Sequence, residues 1–165
     1  MHPLIVTLLL DDGAQQRFDR LRTEHFPPER NYLQAHVTLF HALPGSHLDD
    51  VTRDLAAAAD RLAFDVAVTG LRFLGRGVAY TLESAELTAL RARLAGAWQP
   101  WLTAQDRQRH APHVTVQNKV APDVARALHE RLVAGFVPYA ARGRGLGLWR
   151  YLGGPWEPVG EHPFR

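Results

Sequence analysis

The chain has 165 residues, of which 46% are hydrophobic and 22% are charged, a composition typical of a folded globular protein. It contains no cysteine, which excludes disulfide frameworks, thiolate metal sites and cysteine nucleophiles. The formal net charge is +2, and 18 of the 19 basic residues are arginine, with Lys119 as the single lysine. This weak positive charge permits phosphate-bearing partners without requiring them.

The pattern of apolar residues predicts one domain over residues 1–165, in which short strands alternate with helices. The apolar run from Leu4 to Leu10 is too short to span a membrane and has no basic region before it, so we interpret it as a first strand and not as a signal peptide. We therefore expect a cytoplasmic protein without membrane contact. In chain order, the other predicted elements are a helix capped by Asp11-Asp12 and running to Glu24, a strand from His36, a helix over Leu48–Leu62, strands over Phe64–Leu74 and Val78–Leu82, a helix over Ser84–Leu102, a strand over His113–Val120, a helix over Val124–Val133, and closing strands over Phe136–Leu152 and from Trp156 onward.

Two short runs of the same type begin two of these strands. They are His36-Val37-Thr38-Leu39 and His113-Val114-Thr115-Val116. Side chains alternate between the two faces of a strand, so each histidine shares a face with the threonine two residues later, while the apolar residues face a core. Random placement predicts roughly 0.1 such run per chain, so two copies indicate a shared function.

Two histidines that flank one phosphodiester are suited to acid–base catalysis. The unperturbed pKa of histidine is near 6.5, so one ring can be neutral and the other protonated near neutral pH. The neutral ring takes a proton from attacking water, and the charged ring gives a proton to the leaving oxygen. The threonine hydroxyls can hydrogen-bond the non-bridging oxygens. This chemistry needs no metal and no cofactor, and we expect neither.

A turn and a helix follow the motif strand both times, which indicates two similar halves. We therefore predict an α+β fold that is bilobal, with two pseudo-symmetric antiparallel sheets, helices on the outside and a central cleft. The two motif strands would line this cleft. We expect the protein to be a monomer.

The segments HVTLFHALPG (36–45) and HVTVQNKV (113–120) resemble the paired motifs of the 2H phosphoesterase superfamily. Within it, the chain is similar to the bacterial 2′–5′ RNA ligase-like proteins, or RNA 2′,3′-cyclic phosphodiesterases. The lead-in Pro27-Pro28 and the aromatic run around Trp149 fit the same family. The resemblance implies that a 2′,3′-cyclic phosphate on RNA or a nucleotide is hydrolysed to a 2′-phosphate, with reversible 2′–5′ joining as a side activity. It also implies that His36 is the proton donor, His113 the proton acceptor, and Thr38 and Thr115 the phosphate-binding threonines.

Five further residues are candidates for substrate binding. Lys119 shares the predicted strand face of His113, and Phe40 shares the face of His36. Aromatic side chains can stack on a base, and an arginine can steer a phosphate. The five candidates are Tyr32, Phe40, Lys119, Trp149 and Arg150.

Other interpretations of the histidines remain open. His36 and His113 could be buried structural histidines, or metal ligands, although no acidic residue shares their strand faces. Strand alternation predicts that His41 faces away from the cleft, and His110 is expected to be a surface residue. The protein could act on another cyclic phosphate, or it could be an RNA-binding module without catalysis.

Overall fold

The computed structural model describes residues 1–165 as seven strands and five α-helices, with short 3-10 helices at Pro28–Arg30, Gly45–His47 and Gln99–Trp101. The strands are β1 (Leu4–Leu10), β2 (Val37–Leu43), β3 (Phe64–Phe73), β4 (Val78–Glu83), β5 (His113–Gln117), β6 (Tyr139–Tyr151) and β7 (Trp156–Pro163). The α-helices are α1 (Asp12–His25), α2 (Leu48–Ala58), α3 (Ala85–Ala97), α4 (Ala104–Arg107) and α5 (Pro122–Ala134).

All strand pairs are antiparallel and belong to one sheet with the order β2-β1-β6-β3-β4-β5, while β7 also pairs with β6. The long strand β6 joins the two sides of this sheet. Its first residues pair with β3, and its later residues pair with β1 and β7. The α+β class is confirmed, but the two expected sheets are hydrogen-bonded into one.

The element order repeats within the chain. The series β1-α1-β2-α2-β3 is followed by β4-α3-α4-β5-α5-β6, and the two series mirror each other in the sheet order. The motif strands β2 and β5 therefore lie at opposite edges of the sheet. These edges nevertheless contact each other, because the twisted sheet bends. Helix α1 packs on β5 and α4 packs on β2, so each half covers the motif strand of the other.

Local sequence explains where the helices begin. The side chain of Asp11 accepts a hydrogen bond from Ala14 N, and that of Ser84 accepts one from Leu87 N, as expected for N-caps. The helix predicted over 48–62 ends earlier, at Ala58, and the one predicted over 84–102 ends at Ala97 and is followed by a 3-10 turn. One cluster of 29 buried residues forms the core and contains side chains from both halves.

Each motif strand contains a β-bulge at the last residue of its four-residue run. In β2, Thr38 pairs with Thr7 and Phe40 pairs with Val6, so Leu39 is the extra residue. The second motif repeats this irregularity: Thr115 pairs with Ala79 and Gln117 pairs with Val78, leaving Val116 unpaired. A bulge disrupts the alternation of side chains between faces, so the residues after each motif exchange faces.

None of the helices combines the length and the apolar character that crossing a membrane requires.

Candidate active site

Both motif histidines are held by the same local contact. His36 donates from Nδ1 to the backbone oxygen of Gln34 at 2.8 Å, and His113 donates from Nδ1 to the backbone oxygen of Ala111 at 2.9 Å. In each motif the acceptor lies two residues before the histidine. A carbonyl can only accept, so Nδ1 carries a proton in both rings. In the neutral rings, Nε2 is therefore the basic nitrogen, and in the protonated rings it is a donor.

Residues of the two motifs share a cavity of about 260 Å³, which we call the cationic cavity. Thr38 from β2 and His113 from β5 both line it, together with His41, Arg72 and Arg109. The loop before β5 is tied to β2, because His110 donates from Nε2 to the backbone oxygen of Thr38 at 2.9 Å. The cationic cavity thus presents imidazole, hydroxyl and guanidinium groups, which suit a phosphate.

His36 lines a second cavity of about 260 Å³, which we call the aromatic cavity. Tyr32, Trp149 and Trp156 also line it, and the ring of Trp156 lies 4.5 Å from that of His36 between centroids. His36 and Thr38 are two residues apart in the chain, so residues at the start of β2 line both cavities.

The floor of the aromatic cavity depends on a glycine. Trp149 donates from Nε1 to Thr7 Oγ1 at 3.0 Å, across Gly147. A Cβ at position 147 would lie 2.7 Å from Thr7 Oγ1 and 3.0 Å from Trp149 Nε1, which is too close for either contact to persist. Glycine at this position therefore permits the hydrogen bond that orients the indole.

Burial favours the neutral form of both motif histidines. The pKa of His36 is lowered to about 4. Desolvation is the largest cause, the charges of Arg22, His113 and His41 add to it, and the hydrogen bond to Gln34 opposes it. Desolvation also lowers the pKa of His113, and the charges of Arg72 and His41 lower it as well. The hydrogen bond to Ala111 opposes this shift. Each ring therefore resists protonation until an anion enters the site.

Two buried arginines donate hydrogen bonds to the backbones of the motif strands. Arg22 of α1 donates from Nη1 to Thr115 O at 3.1 Å and from Nε to Asn31 Oδ1 at 2.7 Å. Arg91 of α3 donates from Nε to Leu39 O at 3.1 Å. Each arginine belongs to one half and fixes the motif strand of the other half. Neither arginine is recognisable from the sequence, because nothing in a helical pattern distinguishes a buried arginine from a solvated one.

The structure places three of the candidate substrate-binding residues outside the two cavities. Phe40 is 0% exposed, because the bulge at Leu39 turns its side chain into the core. Lys119 is exposed beyond the end of β5 at Gln117, in a turn where its φ is 65°, so it does not share the strand face of His113. Arg150 lines neither cavity, and its Nη1 forms an ion pair with Glu157 Oε1 at 2.9 Å.

Two expectations about other histidines are wrong. The bulge that buries Phe40 brings His41 to the cationic cavity, although strand alternation predicted the opposite face. His110 is not a free surface residue, since it is half-buried, bonded to Thr38 and part of the same cavity wall.

Thr115 follows His113 on β5 as predicted, but it lines neither cavity. No group of three or more His, Asp or Glu side chains is arranged to hold a metal ion.

The family and the fold are now clear from comparison with other proteins. The family model of the 2′-5′ RNA ligase superfamily matches residues 10–155, and the chain belongs to this superfamily. Similar solved structures are TT0787 of Thermus thermophilus (TM-score 0.64, 16% identity) and E. coli LigT complexed with 3′-AMP (TM-score 0.60, 18% identity), each aligned over 99% of this chain and 98% of the other. A structure described as a phosphoesterase aligns over the same shares, with a TM-score of 0.61 and 16% identity. No curated protein sequence matches the chain.

At these identities the solved structures establish the shared fold alone. Membership of the superfamily confirms the assignment made from the two motifs, and it supports a phosphoesterase-type function.

Proposed function

We propose that the protein hydrolyses 2′,3′-cyclic phosphates, on RNA ends or nucleotides, to 2′-phosphates by two-histidine acid–base catalysis without a metal ion. The observation that carries this proposal is the paired orientation of His36 and His113. Each ring donates from Nδ1 to a carbonyl two residues upstream, which leaves Nε2 for proton transfer. The two rings belong to sheet edges that contact each other.

The reaction divides the two proton transfers between the two rings. One neutral imidazole accepts a proton at Nε2 from water, whose oxygen forms a bond to phosphorus. The bond from phosphorus to the 3′-oxygen breaks, and the other ring, protonated, gives its Nε2 proton to that oxygen. If a 5′-hydroxyl replaces water, the same steps form a 2′–5′ phosphodiester. The family resemblance assigns the donor role to His36 and the acceptor role to His113.

The two cavities suggest how the substrate is oriented. The cationic cavity would hold the phosphate, with Thr38 donating to a non-bridging oxygen. The aromatic cavity would hold the nucleoside against Trp149, Trp156 and Tyr32, since a base can stack on an aromatic ring. Among the structures of similar fold, LigT has been crystallised with 3′-AMP, ATP and NADP+, which is consistent with a nucleotide substrate here.

Turnover of a 2′,3′-cyclic nucleotide in excess chelator tests the proposal. We expect product carrying a 2′-phosphate, and a loss of turnover of about 100-fold or more in His36→Ala and in His113→Ala separately. His2→Ala is the matched control, because His2 is exposed and lines neither cavity. RNA binding without turnover would favour a binding module, and turnover that chelator abolishes would favour a metal-dependent reaction.

The pH dependence of kcat/KM is a second test. The pH dependence of this ratio reflects the pKa values of the two rings in the free protein. Burial lowers both of these pKa values, to about 4 for His36. The reactive form needs one neutral ring and one protonated ring, so we expect a bell with its maximum below pH 6.5. Either assignment of donor and acceptor gives the same bell. A flat profile between pH 5 and pH 8 would contradict the mechanism.

A further inference from the structure

One histidine in the cationic cavity has no counterpart in the second motif. His41 follows the first motif histidine by five residues, and Asn118 occupies the corresponding position after His113. Both motif strands bulge at the same place, so their backbones are closely comparable up to that point. The two motifs are alike through their fourth residue and differ after it, and His41 places an imidazole on one side of the site only.

A buried carboxylate fixes His41. The side chain of Asp106, which is 1% exposed, accepts hydrogen bonds from the backbone N–H groups of His41 at 2.9 Å and Ala42 at 3.1 Å. The ring of His41 donates from Nδ1 to Asp106 Oδ1 at 3.0 Å. Burial alone would raise the pKa of Asp106, but the bonds from the His41 ring and from the two backbone groups lower it below its ordinary value. Asp106 is therefore an ionised carboxylate at neutral pH.

The surroundings fix Asp106 in turn. Its backbone oxygen accepts from Arg91 Nη2 at 2.7 Å, and its backbone N–H donates to the N-cap side chain of Thr103 at 3.2 Å. With Nδ1 engaged, Nε2 is the free nitrogen of His41, and 41% of the side chain is exposed at the cationic cavity. A carboxylate that holds one nitrogen of a histidine leaves the other oriented for a ligand.

We propose that His41 is a third substrate-contacting histidine, which donates from Nε2 to a phosphate oxygen while Asp106 holds its Nδ1. This inference rests on the proposed function, because it concerns the same phosphate. The ring can donate to both anions only as the imidazolium, with both nitrogens protonated. The His41 ring thus brings a positive charge against the phosphate, on the side of the site that includes His113, while the balancing negative charge of Asp106 lies at the opposite nitrogen of the ring.

The charge on the phosphate changes during the reaction, and this predicts which kinetic constant His41 controls. The cyclic diester carries one negative charge, and the product monoester carries nearly two at pH 7. A fixed cation therefore stabilises the transition state and product more than the substrate. We expect His41→Gln to lower kcat by about 10- to 100-fold and to weaken inhibition by a nucleoside 2′-phosphate by about 10-fold, with a change in KM of less than about threefold.

The chain offers a matched control. His47 also donates from Nδ1 to a carboxylate, Asp50 Oδ2 at 3.1 Å, and it is similarly exposed, but it lines neither cavity. His47→Gln should leave kcat and product inhibition unchanged. Asp106→Asn tests the charge: an amide can accept from the two backbone N–H groups and donate to His41 Nδ1, which leaves a neutral ring. We expect it to reproduce the loss in kcat.

Binding of inorganic phosphate tests the contact without turnover. Phosphate should shift the ring resonances of His41 in the ¹H–¹³C spectrum of the wild-type protein, and those of His47 should not move. Unchanged His41 resonances, or a kcat within threefold of wild type in a folded His41→Gln protein, would overturn the inference. A phosphate-induced shift in a protein that fails to hydrolyse cyclic nucleotides would support this contact and overturn the proposed function.

Discussion

Replacing His36 with glutamine should make the protein lose less stability when the pH is lowered. The folded protein lowers the pKa of His36 from 6.5 to about 4, so the unfolded chain binds more protons between these pH values. Stability therefore falls as the pH drops from 6.5 toward 4, and it is unaffected by this group above pH 6.5. Glutamine cannot be protonated and removes this contribution.

The magnitude follows from linkage. A pKa of 6.5 in the unfolded chain and about 4 in the folded protein gives a penalty of about 2 kcal/mol at pH 5 and almost none at pH 7.5. The ring of His36 is half-buried, and water that reaches it screens part of this penalty. We expect the variant to lose about 1–2 kcal/mol less stability than wild type between these two pH values.

Urea denaturation followed by circular dichroism, at pH 7.5 and pH 5.0, measures this difference. The difference between the two pH values within each protein removes any effect of the substitution that does not depend on pH, and the comparison of this difference between wild type and variant cancels the other titrating groups. His2→Gln is the control, because His2 is exposed and should behave as wild type. If wild type and His36→Gln lose the same free energy of unfolding, the ring is not desolvated as described.

Three further predictions concern other parts of the site. Trp156→Ala opens the aromatic cavity to water, so the pKa of His36 should rise toward 6.5, as measured by NMR titration. Arg91→Met leaves two buried carbonyls without donors and should lower the free energy of unfolding by about 2–4 kcal/mol, whereas Arg93→Met, at an exposed position on the same helix, should change it by less than about 0.5 kcal/mol. Lys119→Gln should leave KM for a cyclic nucleotide unchanged, and an increase of tenfold would contradict the position of Lys119 outside the site.

Local sequence determined most of the secondary structure and the identity of the motif residues. The capping side chains of Asp11 and Ser84 mark the starts of their helices, because their hydrogen bonds lie within three residues of the cap. The repeated motif marked His36 and His113 as a pair, since the spacing of histidine and threonine sets a common strand face. Helix ends do not follow from local sequence in the same way: the helix predicted to run to Leu62 ends at Ala58, because the extent of the last turn depends on tertiary packing.

The tertiary structure decided which neighbouring side chains reach the site. Strand alternation placed Phe40 beside His36 and His41 on the opposite face, but the bulge at Leu39 reverses both assignments. A bulge is set by the register between two strands that are distant in the chain, so a single strand's sequence does not reveal it. The same reason applies to Arg22 and Arg91: each becomes buried only when its helix packs on the motif strand of the other half.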